Sequence, residues 1–268
     1  MAQDEVLFEK VNGAAYLTIN RPERRNALSP QVLLDLRKFF QIAKNDPEVR
    51  CVVLRGTGEK AFCAGADLGG NHSIMDSPST QSPSLVEQHY LRGELADLFL
   101  DMWRLGKPVV ARVQGYAMAG GFGLAMACDI VIASQSAVFG ASEVAVGLWP
   151  FMISVPLTRS MPPKVALELM MTGRRVSADE AKSIGFVNKV VEDSQLDSEV
   201  QQVVEELKKA SPAAMKLGRD SLYATWGMEP HQALEILRGA LSLITMTEDA
   251  REGITAFLEK RPPNWSGR

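Results

Sequence analysis

The sequence has few residues of the kinds that form metal centres and disulfide frameworks. Its 268 residues include three cysteines and three histidines. Cys51, Cys63 and Cys128 lie within apolar stretches and lack CxxC or other metal-ligand spacing, which favours buried free thiols. The histidines are scattered without an HExxH pattern, and no GxSxG motif marks a nucleophilic serine. We therefore expect neither a metal site nor a Ser–His triad.

The sequence also lacks a strong charge of one sign and a long apolar run. The formal net charge is −3, without the basic bias that binds phosphate backbones, so we expect no nucleic-acid partner. No run of about 18 apolar residues is present that would span a membrane. The first ten residues, MAQDEVLFEK, carry acids where a signal or transit peptide would carry positive charge. We therefore expect a cytoplasmic protein.

The pattern of apolar residues predicts an α/β core followed by helices. The β-branched runs AAYLTI, RCVVLRG and PVVARVQG alternate with helical patterns, which is typical of βαβ units with buried strands. Ser29 is placed to cap a helix that has Pro30 at its first position. From Val176 onward amphipathic segments dominate. We predict a core over residues 1–195 and a helical region over residues 196–268.

One long segment of the core lacks apolar periodicity. Residues 69–90 are rich in Ser, Gly, Asn and Pro before a helical pattern begins. Loops of this length are usually either functional lids or disordered segments, and both interpretations stay open.

Two glycine-rich turns follow strand-like runs. AFCAGADL, over residues 61–68, follows CVVLRG, and GYAMAGGFG, over residues 115–123, follows PVVARV. Small residues let a backbone approach a ligand closely, and free N–H groups in such turns can polarise an oxygen atom. Either turn alone is a weak signal, because glycine-rich loops more often serve tight packing. The second turn also lacks the glycine spacing of a dinucleotide site.

Six segments, in order over nearly the whole chain, resemble the crotonase superfamily of enoyl-CoA hydratases and isomerases. They are RPERRNALS, AFCAGADL, GYAMAGGFGLAMACDIVIA, FGASEVAVGLWP, LMMTGRRVSADEAKSIGFVNKVV and FLEKRPPNW. The resemblance implies an α/β fold in which a spiral of ββα units forms the core. It also implies that the C-terminal helical region packs subunits into a homotrimer or homohexamer. The implied substrate is an acyl-CoA thioester, and no cofactor is implied besides the coenzyme A that is part of this substrate.

The resemblance places an oxyanion hole on the backbone N–H groups of Ala66 and Gly120. Paired donors suit a thioester, because its carbonyl oxygen gains charge when C2 loses a proton or when a nucleophile adds at C3. The contacts of the family with coenzyme A fall on six positions: Arg24, Arg25, Ala27, Ala64, Phe257 and Lys260. In relatives the last two reach the coenzyme A of a neighbouring subunit. Taken without the resemblance, the three basic residues would be interpreted as ordinary solvated surface.

The sequence departs from the hydratases of the family at one of two glutamates. The glutamate of the FGxxE segment is present as Glu143, but the one expected at the end of the second glycine-rich turn is replaced by Gly123. A single carboxylate suits the transfer of one proton from C2 of a 3-enoyl-CoA to C4, which is the isomerase pattern. Hydration stays open, since another group could anchor the water. The candidates for that group are Asp67, His72, Asp76 and His89.

Other functions and the acyl group stay open. The chain could be a catalytically silent acyl-CoA-binding protein, or it could catalyse another crotonase-type reaction such as thioester hydrolysis or decarboxylation. A dehalogenase-type reaction is disfavoured, because its nucleophilic aspartate would align with the apolar Phe151. Trp149, Phe151 and Met152 could line an apolar site for the acyl chain or pack in the core. Asp129, within ACDIVIA, is predicted to be a hydrogen-bonded structural acid.

Overall fold

Ten β-strands and ten α-helices form over the residues that the computed structural model describes, 4–69 and 84–268. The strands are β1 (Val6–Val11), β2 (Ala14–Ile19), β3 (Cys51–Gly56), β4 (Ala61–Cys63), β5 (Val109–Val113), β6 (Tyr116–Met118), β7 (Ile130–Ser134), β8 (Val138–Gly140), β9 (Val176–Ser177) and β10 (Lys189–Val191). The helices are α1 (Pro30–Asn45), α2 (Leu85–Trp103), α3 (Gly120–Ala127), α4 (Phe151–Ser160), α5 (Pro163–Thr172), α6 (Ala178–Ile184), α7 (Leu196–Lys208), α8 (Pro212–Thr225), α9 (Pro230–Ile244) and α10 (Glu248–Glu259). Most of the predicted 69–90 loop, residues 70–83, lies outside the described residues.

The strands form two sheets that the chain visits in turn. The larger sheet has the order β1-β2-β3-β5-β7-β10 and is parallel except for the β1–β2 hairpin. The smaller sheet has the order β4-β6-β8-β9, with its first three strands parallel. Each of β3, β5 and β7 continues into a short strand of the smaller sheet and then into helical structure. The predicted α/β fold with repeated ββα units is therefore confirmed.

Local sequence determines where the first helix begins and ends. The Ser29 hydroxyl accepts a hydrogen bond from the N–H of Val32 at 3.1 Å, and Pro30 occupies the first helical position. This cap satisfies one of the N–H groups that a helix start leaves unpaired. The buried face of α1 then packs Val32, Leu36 and other apolar side chains into the main core. The predicted helix start at Ser29 and Pro30 is confirmed.

Apolar side chains fill both faces of the larger sheet. Large side chains of the main core, such as Phe62, Phe122 and Phe139, are fully buried. All three cysteines are free and buried, as predicted. Burial raises the pKa of the Cys63 thiol to about 12, so it is protonated and unreactive at neutral pH. None of the helices in the described ranges is long and apolar enough to cross a membrane.

The C-terminal helices differ in how they attach to the sheets. Helix α7 covers the second face of the larger sheet with Leu196, Val200 and Val204. Helix α9 buries none of its residues, and its Leu234 and Leu241 are 65% and 64% exposed. Large exposed apolar patches usually mark contact surfaces. The helical region over residues 196–268 is present, while its role in forming trimers and the division at residue 195 stay predictions.

Helix α8 is joined to the core by one ion pair with several further hydrogen bonds. Arg219 donates to the Asp129 carboxylate at 2.9 Å and to the backbone carbonyls of Met102 and Trp103. The same carboxylate accepts from the N–H of Val109 and from the hydroxyl of Tyr223, each at 2.7 Å. Asp129 therefore has the hydrogen-bonded structural role that the sequence predicts. Because the pair connects α8 to two core elements, its loss should loosen the attachment of α8.

We expect Arg219→Ala to lower the free energy of unfolding by about 3 kcal/mol, because it leaves a partly buried carboxylate without its positive partner and two carbonyls without their Arg219 donor. Lys209→Ala is the control, since Lys209 pairs with Glu206 at an exposed position and its loss should cost less than about 1 kcal/mol. Urea denaturation of both variants measures the difference. Equal losses in the two variants would contradict the structural role of Arg219.

Candidate active site

Three neighbouring strands of the smaller sheet end at one edge and carry the three predicted catalytic positions there. Strands β4, β6 and β8 are parallel and adjacent, so their carboxyl ends share an edge. Ala66, Gly120 and Glu143 each follow one of these ends by two or three residues. Because paired strands lie about 4.8 Å apart, this topology places the three positions side by side. Open α/β sheets commonly bind ligands at such an edge.

The two glycine-rich turns touch each other directly. Gly65 has a φ of +91°, and a Cβ atom placed on it would lie 2.7 Å from the Cβ of Ala119 and 3.2 Å from the backbone nitrogen of Gly120. Real Cβ atoms essentially never lie as close as 2.7 Å to another heavy atom. Glycine at position 65 therefore allows an approach of the two turns that any side chain would prevent.

Backbone hydrogen bonds fix the peptides on both sides of Ala66. The N–H of Leu28 donates to the Gly65 carbonyl at 2.7 Å, and the N–H of Asp67 donates to the Leu28 carbonyl at 3.0 Å. The two bonds form a short parallel bridge between Leu28 and Ala66. Ala66 itself is exposed, so its N–H lies in an ordered but accessible turn.

The second turn stores backbone strain at Ala119. This residue has a φ of 49° and a ψ of −124°, a conformation that alanine rarely adopts. Its N–H donates to the Gly140 carbonyl at 2.8 Å, which ties the turn to the end of β8. The chain then enters α3 at Gly120, and the first N–H groups of a helix have no intrahelical acceptor. All eight residues of α3 are buried, so the positive end of a buried helix lies at this turn.

Glu143 lies on a short 3-10 turn over Ser142–Val146, just beyond the end of β8. One oxygen of its carboxylate, Oε2, is buried and has no hydrogen-bond partner among the described residues. Burial raises the pKa of Glu143, with only partial opposition from a backbone N–H. A buried carboxylate oxygen without a partner destabilises a fold, and groups of this kind are concentrated at functional sites.

Asp67, one candidate for anchoring water, is already engaged by other groups. Its carboxylate accepts hydrogen bonds from Arg21 at 2.7 Å and from the N–H of Gly69 at 3.1 Å. Partial burial raises the pKa of Asp67, but these hydrogen bonds outweigh the effect and leave the pKa below its ordinary value. His89 is exposed on α2. Two further candidates lie outside the described residues: His72 and Asp76.

The position of the missing glutamate is filled by carbon atoms of two neighbouring helices. A Cβ atom placed on Gly123 would lie 2.3 Å from Cγ2 and 2.8 Å from Cβ of Ile153, and 3.1 Å from Cζ of Phe99. Ile153 on α4 and Phe99 on α2 are each 2% exposed. Sequence reasoning identified Gly123 but missed both neighbours. The available signal was a glycine inside an apolar helix pattern, which indicates a close approach by something else.

Four of the six predicted coenzyme A positions lie beside the first turn: Arg24, Arg25, Ala27 and Ala64. The N–H of Ala64 donates to the Arg25 carbonyl at 3.0 Å, which joins the two segments. Asn26, fully buried between them, donates to the carbonyl of Ala61 at 2.7 Å. Both arginines are exposed, so their charged groups remain accessible. Sequence reasoning missed Asn26, which holds the basic segment against the end of β4.

The remaining two predicted coenzyme A positions lie at the C-terminal end of α10. Phe257 is 82% exposed on α10. Lys260 follows the helix end, and its side chain forms no hydrogen bond or ion pair within the described part of the chain. Within one chain, therefore, no hydrogen bond or ion pair among the described residues joins either side chain to the first turn.

Three bulky residues that precede or begin α4 are exposed. Trp149, Phe151 and Met152 are 37%, 68% and 41% exposed. Of the two interpretations, packing in the core is therefore wrong. The reason is that α4 turns Ile153 and Leu157 inward instead.

Two glycine-rich turns in contact at the ends of parallel strands, with a partly buried carboxylate beyond the end of the next strand, define an α/β protein of the crotonase type. A family model described as enoyl-CoA hydratase/isomerase matches residues 9–268. The chain belongs to this family.

Similar proteins cover the chain almost completely. A crotonyl-CoA hydratase of Syntrophomonas wolfei is 34% identical over 266 residues, covering 99% of each chain. A short-chain-enoyl-CoA hydratase of Clostridium acetobutylicum is 36% identical over 262 residues, covering 97% of each. The crystal structure of an enoyl-CoA hydratase from Mycobacterium smegmatis superposes with a TM-score of 0.89 at 36% identity, covering 98% of this chain and 99% of that one.

We expect Gly123→Ala to lower the free energy of unfolding by about 1 to 3 kcal/mol, because the new methyl group would overlap Ile153. Gly218→Ala is the control. Nothing lies within 4 Å of a Cβ atom at position 218, and alanine in the interior of α8 should stabilise by up to about 1 kcal/mol. Urea titrations of the two variants compare them. A Gly123→Ala protein as stable as the wild type would show that α3 and α4 separate easily.

Proposed function

We propose that this protein isomerises the double bond of an enoyl-CoA, using Glu143 to move one proton along the acyl chain. The observation that carries the proposal is a carboxylate, that of Glu143, with one buried and unpartnered oxygen, at an edge where the second acid position is filled by Ile153 and Phe99. Membership of the enoyl-CoA hydratase/isomerase family supports an acyl-CoA thioester as the substrate.

The thioester carbonyl oxygen would lie between the N–H groups of Ala66 and Gly120. Removal of a proton from C2 moves negative charge onto this oxygen, so donors that are already oriented stabilise the enolate-like state more than the substrate. The contact between the two turns supports such fixed orientation. The N-terminal end of α3 adds positive potential at Gly120. Loss of one donor of this type typically costs about 3 to 4 kcal/mol of transition-state stabilisation.

Glu143 would accept the C2 proton of a 3-enoyl-CoA and return it to C4. The electron pair of the C2–H bond first enters a dienolate whose charge lies on the thioester oxygen. A new C4–H bond then forms from the electrons of the former C3–C4 double bond, the chain keeps a C2–C3 double bond, and no other reactant is needed. The raised pKa of Glu143 makes its carboxylate a stronger base than an ordinary glutamate. Its Oε2 atom also has no hydrogen-bond partner among the described residues, so its acceptor capacity is unused.

Hydration is the second candidate, because several similar proteins are named hydratases. Adding water requires a polar group that holds the water opposite or beside Glu143. Asp67 is bound to Arg21, and carbon atoms occupy the space at Gly123. Within the part of the chain that the structure describes, these observations favour isomerisation over hydration.

We also propose that copies of the chain associate through their C-terminal helices and share coenzyme A sites. The exposed apolar residues of α9 and α10 support association. Arg24 and Arg25 would contact phosphates from one subunit, while Ala27 and Ala64 border the pantetheine arm. Phe257 and Lys260 of a neighbouring copy would complete the site.

A panel of thioesters separates the candidate functions. Purified protein is incubated with 2-enoyl- and 3-enoyl-CoA substrates of several chain lengths, and the products are followed by chromatography and mass spectrometry. Isomerisation changes retention without changing mass, whereas hydration adds the mass of one water. Free coenzyme A marks hydrolysis, and loss of carbon dioxide from a carboxyacyl-CoA marks decarboxylation. Absence of all products would favour the silent binding protein.

We expect Glu143→Gln to lower kcat by roughly 10²- to 10⁴-fold while coenzyme A binding persists, because glutamine keeps the shape but cannot accept a proton. Exchange of substrate C2 protons with deuterated water reports this base directly. In the wild type, activity should fall with decreasing pH as Glu143 becomes protonated. Since its pKa is raised, this fall begins at higher pH than for an ordinary glutamate with a pKa of about 4.3. Wild-type exchange in a folded Glu143→Gln protein would refute the assignment.

We expect Lys260→Ala to raise KM for the thioester by about 10- to 100-fold with little change in kcat, because one charge-assisted contact with a phosphate is lost. Lys182→Ala, at an exposed position of α6, is the matched control and should leave both constants unchanged. Steady-state kinetics at low ionic strength measures the effect. Equal KM values for the two variants would exclude a phosphate contact by Lys260.

A further inference from the structure

Gly123 lies one turn beyond Gly120 at a point where three helices meet. Its neighbours are Ile153 from α4 and Phe99 from α2. We propose that Ile153 determines the reaction specificity of the site, by closing the space beside Gly123 to water and to a second carboxylate. This inference rests on the proposed isomerisation and names the residue that keeps the reaction from becoming hydration.

The contact with Ile153 includes an atom that cannot move aside. A Cβ atom on residue 123 would overlap both Cγ2 and Cβ of Ile153, at 2.3 and 2.8 Å. Rotation about χ1 would move Cγ2, but Cβ is attached directly to the backbone, so only movement of α4 would relieve the whole overlap. The contact with Phe99, at 3.1 Å, involves the far end of a side chain and needs a shift of only a few tenths of an ångström. Ile153 is therefore the barrier to any side chain at position 123.

The distances also show which replacement of Ile153 would open the space. Alanine at position 153 would remove Cγ2 but keep the Cβ atom that lies 2.8 Å from the new side chain. Glycine would remove both overlapping atoms. Transferring a side chain from α4 to α3, as Gly123→Glu with Ile153→Gly, also conserves core volume approximately, and swaps of this kind are tolerated best.

The walls of this region are apolar on several sides. Beside Ile153 and Phe99, the side chains of Leu28 and Leu95 face Gly120, at 3.1 and 3.6 Å from a Cβ atom placed there. A water molecule is held in a protein interior by two to four polar partners, which these side chains do not provide. Glu143 can therefore return its proton to the acyl chain without competition from water at this wall.

The test compares two double variants of the full-length protein. Gly123→Glu/Ile153→Gly places a second carboxylate beside the site, and Gly123→Gln/Ile153→Gly has the same shape without an acid. Each variant is first checked for folding by thermal denaturation. Hydrated and isomerised products from 2-enoyl- and 3-enoyl-CoA are then quantified by mass spectrometry, with labelled water to identify the added oxygen. We expect the ratio of hydration to isomerisation to rise at least about 10-fold in the glutamate variant relative to the glutamine variant.

Gly123→Glu/Ile153→Ala should be markedly less stable than Gly123→Glu/Ile153→Gly, because the Cβ atom of the introduced alanine would remain in the way. Two results would overturn the proposal: a folded glutamate–glycine variant with no more hydration than its glutamine counterpart, or a Gly123→Glu single variant with wild-type stability. If the Gly123→Glu/Ile153→Gly protein does not fold, the contact between positions 123 and 153 is tested by stability measurements on smaller substitutions. Gly123→Ala should then destabilise the wild type but not the Ile153→Gly protein, and equal losses in both would refute the contact.

Failure of this inference differs from failure of the proposed function. If the wild-type protein neither isomerises enoyl-CoA substrates nor exchanges their C2 protons, the proposed function is wrong, whatever the variants do. If the wild type isomerises and the glutamate variant gains no hydration, only the role of Ile153 is wrong.

Discussion

The close approach of two backbone turns, at Gly65 and Ala119, is the constraint on which the candidate site depends. It is possible because Gly65 has no side chain and because β4 and β6 are adjacent parallel strands. Without this contact, the N–H groups of Ala66 and Gly120 would belong to separate loops with independent motions. With it, both belong to one rigid edge of the smaller sheet. Electrostatic stabilisation of a thioester oxygen requires this kind of prior orientation, since donors that must first reorganise lose most of their advantage.

The surrounding core supplies the stability that the site itself lacks. Ala119 has a strained backbone, and Glu143 has a buried oxygen without a partner among the residues that the structure describes. Each feature destabilises the native state by an amount on the order of 1 to 3 kcal/mol. The fully buried helix α3 and the aromatic cluster of Phe122, Phe139 and Phe186 lie directly behind these features. Burial of large apolar side chains there offsets the strain at the edge.

Sequence patterns predicted the features that depend on neighbouring residues in the chain. Ser29 and Pro30 start α1 because a cap and a fixed φ act locally. The glycine-rich turns were recognisable for the same reason. Ala119 was not, since its positive φ accompanies contacts with Gly65 and Gly140, which are distant in the sequence, and an alanine gives no hint of that conformation. The bond between Arg21 and Asp67 joins residues 46 positions apart, so no local pattern reveals it.

The contrast between local patterns and contacts of distant residues also applies to the site. Its helices, more than its strands, determine which reaction it suits. Strand ends gather Ala66, Gly120 and Glu143, which together suit many reactions that pass through an enolate. Which atoms stand beside these groups depends on α2 and α4, whose packing distance is set by side chains far apart in the sequence. Phe99 and Ile153 approach Gly123 so closely that only hydrogen fits there. An acid at position 123 is therefore excluded by Ile153, which the packing of α4 against α3 holds in place, and the absence of an acid there is a property of the core as much as of the active site.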